Sequence, residues 1–225
     1  MWAGASPYSR CGPVLRSTRS LPRRCGCFAA PIRSDVFGFF GKIPAHGDFI
    51  RSRGNVSFIN GWDGFLQQGL EESRRRLKGD WDAAYQNSPI WRFLLEPDIC
   101  GGQAVTGVLM PSQDRVGRRF PLTLFHPLAN PAVPELLDDD PLMTELENIA
   151  LACLDAQIDK GELVRRLEGV DFSTAPASGS MSRQSYWLST FFGGAARRDT
   201  RRFDGLPEPA RFEELLSPDR GQQDV

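Results

Sequence analysis

Between residues 56 and 78, Phe58, Ile59, Trp62, Phe65, Leu66, Leu70 and Leu77 recur at three- and four-residue steps, which sets them on one face of a helix. Glu71 and Arg75, and Glu72 and Arg76, stand four residues apart in the favourable order for ion pairs. The run Arg74-Arg75-Arg76, with acids one turn earlier, reads as a solvated helix end rather than an anion patch. Gly61, Gly64 and Gly69 each disfavour a helix. They imply close backbone packing on that face, or a bend.

The period then changes to two. Residues 89–97 set Trp91, Phe93 and Leu95 against Ile90, Arg92 and Leu94, residues 103–111 are β-branched and apolar, and 120–128 repeat the pattern. The turns between them are too short for crossover helices, so the three strands predict an antiparallel meander. An aromatic strand at 36–40 precedes the first helix. After the meander, Asp140 as N-cap and Pro141 at the first helical position open a second helix, with Leu142, Leu146, Ile149, Ala150, Cys153 and Leu154 as its buried stripe. A short helix over 160–168 stops at Gly169. Residues 171–184 form a long Ser/Ala/Gly/Pro loop, 185–194 a last strand and 208–217 a terminal helix. The mixture predicts one α/β domain over 35–217, built on a mixed, largely antiparallel sheet with helices on both faces.

Composition is that of an ordinary globular protein, 40% hydrophobic and 24% charged over 225 residues. No stretch approaches the roughly 20 apolar residues that span a bilayer. A net charge of −1 makes no case for nucleic acid or an anionic membrane, yet it hides a split. Residues 1–34 carry six arginines and no acid, whereas 35–225 hold 21 basic and 28 acidic residues, a balance of −7. The leader 1–34 has four prolines, no regular period and no apolar run of a secretory signal. It is expected to be a disordered tail or the product of a misassigned start, and 218–225 a polar tail. Cys11, Cys25 and Cys27 lie in that leader, where the C-x-C lacks a second pair for zinc. Cys100 and Cys153 have no disulfide spacing, so reduced thiols are expected.

Two stretches concentrate polar and special-backbone residues. In "GKIPAHGDFIRS", 41–52, neither nucleotide motif survives: Gly41-Lys42 is followed by Ile43, and the glycine spacings are not those of a dinucleotide fingerprint. His46 and Asp48 stand two apart, so their side chains could face one way as an acid/base pair. With no third group to activate, a loop-shaping Asp48 bonded to nearby backbone N–H groups is the favoured reading. In "MPSQDRVGRRFPLTLF", 110–125, Ser112 or Asp114 is placed to accept backbone N–H bonds in a turn. Arg118 and Arg119 then face opposite sides of a strand. An arginine held by Asp48 or Asp114 would be a structural ion pair, and one left unpaired in a cleft an anion anchor.

These stretches, with "PIWRFLLEPDICGG" and the late "SYW" that contains Trp187, resemble the type VI secretion-associated TagF proteins, also called ImpM, over roughly 36–192. The leader departs from the family, and Tyr186-Trp187 stands where the family typically shows paired tryptophans. The resemblance implies a three-layer α/β/α sandwich and a cytoplasmic accessory protein without cofactor. Such a protein restrains a bacterial contractile secretion machine after translation, is associated with a forkhead-associated scaffold protein, and acts beside a kinase/phosphatase pair. The expected partner surface joins the 41–52 and 111–119 segments through His46, Asp48, Ser112, Asp114 and Arg118, with Trp187 beside them. The rival expectation is a small-molecule or anion pocket, or an enzyme, lined by the same side chains of the two segments.

Overall fold

A computed structural model describes residues 37–129, 134–138, 140–172, 183–192 and 195–217. The leader 1–34, the tail 218–225 and residues 173–182 of the long loop lie outside the described residues.

Strands β1 (Gly38–Gly41) and β2 (Ile50–Arg51) come first, then helices α1 (Val56–Leu77) and α2 (Trp81–Gln86). The meander follows as β3 (Trp91–Leu95), β4 (Ala104–Met110) and β5 (Leu122–Leu128). Helices α3 (Asp140–Ala152) and α4 (Lys160–Glu168) precede β6 (Gln184–Phe192) and β7 (Ala195–Asp204), and α5 (Glu213–Leu216) comes last. The order across the sheet is β2-β1-β5-β4-β3-β6-β7, and each strand pairing in it is antiparallel. The sheet expected to be mixed is therefore antiparallel from edge to edge. The long connections never set two parallel strands side by side: β3, reached through α1 and α2, runs parallel to β2 but lies four places from it, and β6, reached through α3 and α4, runs opposite to β5 and pairs with β3.

Alternation along the strands feeds two hydrophobic clusters. Trp91, Phe93 and Leu95 of β3 pack with Val105, Leu109, Phe125 and the apolar faces of α1, α2 and α5. Leu94, Val108, Leu122 and Leu124 belong to the other cluster, with α3 and α4. The α1 residues named from their spacing are all buried. Gly69 explains part of that helix's glycine content: a Cβ there would stand 2.2 Å from the Phe212 ring. The arginine run is paired rather than merely solvated. Arg74 lies over the Trp81 ring, Arg75 bonds Glu72 instead of Glu71, and Arg76 reaches Glu213 at 2.8 Å.

Each buried indole N–H finds an acceptor, as burial requires. Trp62 donates to Thr123 Oγ1 (2.8 Å), Trp81 to Ser73 Oγ (2.9 Å), Trp91 to the Leu215 carbonyl (2.8 Å) and Trp187 to Ser185 Oγ (3.0 Å). On the opposite side of β3, Arg92 is 2% exposed. It grips Glu147 of α3 with Nε on Oε1 (2.7 Å) and Nη2 on Oε2 (3.1 Å), and its Nη1 donates to the Leu137 carbonyl. Leu154, expected in the buried stripe of α3, is instead 46% exposed, beside Leu151 at 47%. The helix ends at Ala152, and the chain turns there before its period would bring Leu154 inward.

Candidate functional site

β1 ends at Gly41, where φ is +137° and a Cβ would lie 2.1 Å from the carbonyl oxygen of Pro121. Only glycine lets the chain leave the sheet in this way. The segment then folds back as β2, pairing Gly41 with Ile50. The 112–119 turn is closed by its own backbone, Asp114 N–H to Arg118 O (3.1 Å) and Gly117 N–H to Asp114 O (2.9 Å).

Asp114 is the node that joins them. It is 1% exposed. Its Oδ1 accepts the N–H groups of Val116 (3.1 Å) and Arg118 (2.9 Å), and its Oδ2 accepts Lys42 Nζ (3.0 Å) and Arg118 Nε (2.6 Å). Burial alone would raise this carboxyl's pKa. The Arg118 N–H, the Lys42 ammonium, the Arg118 guanidinium and the Val116 N–H outweigh it and hold the pKa well below the ordinary carboxylate range. Further bonds tie the segments together. Ser112 Oγ donates to the Lys42 carbonyl (2.8 Å), Arg115 N–H to the His46 carbonyl (2.9 Å) and Arg118 Nη2 to the Gly47 carbonyl.

The remaining site residues read from the sequence are placed as follows. His46 Nε2 accepts the backbone N–H of Lys160 (3.1 Å) and so covers an otherwise orphaned donor at the start of α4. Asp48 is exposed and accepts no hydrogen bond among the described residues. The His46–Asp48 pair is therefore not made, and the loop-shaping role expected of Asp48 belongs to Asp114. Two Asp residues in Gly-containing loops look alike in sequence; only tertiary placement brings the Lys42 ammonium to one of them. Arg118 is the structural pair, held by Asp114. Arg119 leaves the other way, with Nε on Asp82 Oδ1 (2.6 Å). Trp187 takes no part in this surface: it is fully buried, between the rings of Trp62, Phe93 and Trp91.

Sequence reasoning missed Tyr85, which clamps the turn from α2. Its hydroxyl donates to the Ser112 carbonyl (2.8 Å) and accepts the Ser112 N–H (3.1 Å), and burial pushes its pKa up. The available signal was Trp81 and Tyr85 four residues apart, too brief a pattern to define a helix. Beside this clamp lies a cleft of about 450 Å³, walled in part by Pro44, Tyr85, Ser112 and Arg119. His46, Asp48, Asp114 and Arg118 do not line it. Phe49 stands 47% exposed between the rings of Phe40 and Phe120, and Val116 at the turn's tip is 70% exposed.

Among the described residues, no group of three or more His, Cys, Asp or Glu side chains could hold a metal ion. The thiols of Cys100 and Cys153 are buried, which pushes their pKa values up to about 12 and about 11. No described helix is long and apolar enough to cross a membrane.

The Asp114 node sets a pH dependence. A carboxyl with a depressed folded pKa contributes stability that is complete above its unfolded pKa of about 3.9 and is lost as pH falls towards the folded value. Asp114→Asn should melt earlier at pH 7, and the gap between variant and wild type should narrow below about pH 4. Thermal melts at pH 7, 5 and 3 measure this; a gap that stays constant or widens in acid contradicts the assignment.

A family model for the TagF N-terminal domain, type VI secretion system-associated, matches residues 38–170. A search of solved structures finds the crystal structure of PA0076 from Pseudomonas aeruginosa PAO1, 29% identical, with a TM-score of 0.74 over 84% of this chain and 96% of that one. No curated protein matches the chain. The segments that Lys42 and Asp114 join both lie inside the matched residues, and the chain belongs to the TagF family of type VI secretion system-associated proteins.

Proposed function

We propose that this protein is a cytoplasmic, non-enzymatic regulator that restrains a type VI secretion system by binding its forkhead-associated scaffold protein, beside a kinase/phosphatase pair that controls the same machine. The single observation that carries the reading is how the polar groups of the two segments are used. Ser112, Asp114, Arg118 and His46 are each committed to a bond that shapes the loops, which leaves Phe49, Val116, Arg115 and Asp48 facing outward. A reactive centre would need a nucleophile and base within reach of one another beside a cavity. A rigid, outward-facing set of aromatic and arginine side chains suits protein recognition. The rival pocket reading requires the five polar residues to line one cavity, and only Ser112 does so. The two hydrophobic clusters, one with α1, α2 and α5 and one with α3 and α4, support a three-layer α/β/α sandwich as the scaffold for this surface.

The test pairs a pull-down with a secretion assay. The scaffold protein should be captured by the wild type and lost with Arg115→Glu and Asp48→Arg, exposed positions whose change leaves the Asp114 node intact. Deleting the gene should raise effector release. Unchanged release in the deletion strain overturns restraint, and capture unaffected by both charge reversals overturns this surface.

A further inference from the structure

We propose that the cleft beside the Tyr85 clamp, with the loop surface next to it, is a docking groove for an acidic peptide segment carrying an apolar anchor. The inference rests on the protein-binding reading above and adds the chemistry of the partner.

Apolar exposure comes first. Five large apolar side chains stand exposed among the described residues, and four of them are here: Phe49 and Val116 on the two loops, Leu151 and Leu154 on the cleft. The cleft's carbon wall comes from Pro44, Ile90, Met110, Pro111 and those two leucines. Its polar lining is largely spent. Ser112 Oγ is bonded to Lys42, and the Tyr85 hydroxyl is bonded twice to Ser112. At about 450 Å³ it falls within the roughly 300–1,000 Å³ range of ligand sites and suits one or two apolar side chains.

Charge then selects the partner. Residues 41–53 and 111–119 carry Lys42, Arg51, Arg53, Arg115, Arg118 and Arg119 against Asp48 and Asp114, a local balance of +4 within residues 35–225, which as a whole balance at −7. Asp114 is buried and already neutralised by Lys42 and Arg118. The exposed side chains of Arg51, Arg53 and Arg115 make no hydrogen bond or ion pair among the described residues. Arg119 lines the cleft and is tied to an Asp82 whose side chain is 70% exposed, a solvent-screened pair that an incoming carboxylate can exchange. Arg119 on the wall of an apolar cleft, with an excess of arginine on the two segments that supply Pro44 and Ser112 to that wall, fits a segment with carboxylates on either side of a leucine or phenylalanine.

The probe is a fluorescein-labelled peptide with a leucine–phenylalanine pair flanked by three glutamates on each side, titrated against the full chain by anisotropy. Binding is expected and should weaken as salt rises. Leu151→Ser/Leu154→Ser and, separately, Arg115→Ser/Arg119→Ser should each weaken it roughly tenfold or more while melting near the wild type. A peptide with alanines for the central pair should lose as much. No binding, binding indifferent to both double variants, equal binding of the alanine peptide, or equal competition by a single-stranded oligonucleotide each overturns the proposal. So does a homodimer that the double serine variant dissociates, which would assign the groove to a second copy. The readout is independent of secretion. Peptide binding with unchanged effector release removes the regulatory reading and keeps the groove, and the reverse result removes the groove alone.

Discussion

Replacing Glu147 by alanine should cost about 3–5 kcal/mol, the usual effect of removing one partner of a buried ion pair. Arg92 is 2% exposed on the central part of the sheet, and Glu147 of α3 takes two of its N–H groups. The alanine takes away the carboxylate that two guanidinium N–H groups grip, on an arginine side chain almost wholly removed from water. For a chain of this size the loss corresponds to a fall in Tm of roughly 10 °C. The double variant Arg92→Met/Glu147→Leu should recover most of the loss, because a buried pair and a well-packed apolar pair are often similar in net stability. It should not recover all, since the Leu137 carbonyl loses its donor. Differential scanning calorimetry on the single and double variants measures both effects. A Glu147→Ala protein that melts within a degree or two of the wild type would refute the account.

Trp62→Ala should be comparably severe, about 3–5 kcal/mol. Trp62 is fully buried at the centre of one cluster, against the rings of Phe58, Phe65, Phe93 and Trp187. Alanine opens a cavity in that stack and leaves Thr123 Oγ1 without the indole donor that reaches it at 2.8 Å. Trp62→Phe separates the two effects. It retains most of the ring volume and loses the hydrogen bond, so it should cost about 1–3 kcal/mol, chiefly from the unmet buried hydroxyl and imperfect filling. Equal destabilisation by alanine and phenylalanine would show that the hydrogen bond, rather than packing, dominates at this site.

The frame was largely readable because its signals are local. The stripe of α1, the alternation of β3 and the stop of α4 at Gly169 each need only neighbouring residues. β7 was not readable for a physical reason. Ala195–Asp204 carries Arg197, Arg198, Arg201 and Arg202, so it has no apolar period. An edge strand needs little burial and gains from charges that discourage further pairing. α2 was missed because six residues hold too few repeats. The site was less legible still. The sequence singled out both Asp48 and Asp114, but nothing local says that Lys42 and Arg118 converge on the second. Trp187 looked like a recognition residue, yet β6 carries it into the buried ring stack.

β3 takes one of its two partners, β6, from beyond residue 170, and the indole of Trp91 is capped by Leu215 near the end of the described chain. The stretch that carries the family signature is thus not a self-sufficient folding unit. During synthesis the ribosome must release the stretch beyond residue 170, through Leu215, before the middle of the sheet is sealed. Until then Trp91, Phe93 and Leu95 lie along a bare backbone rim that could zip onto a neighbouring nascent chain, so a product shortened at the signature's border would be sticky rather than merely inactive.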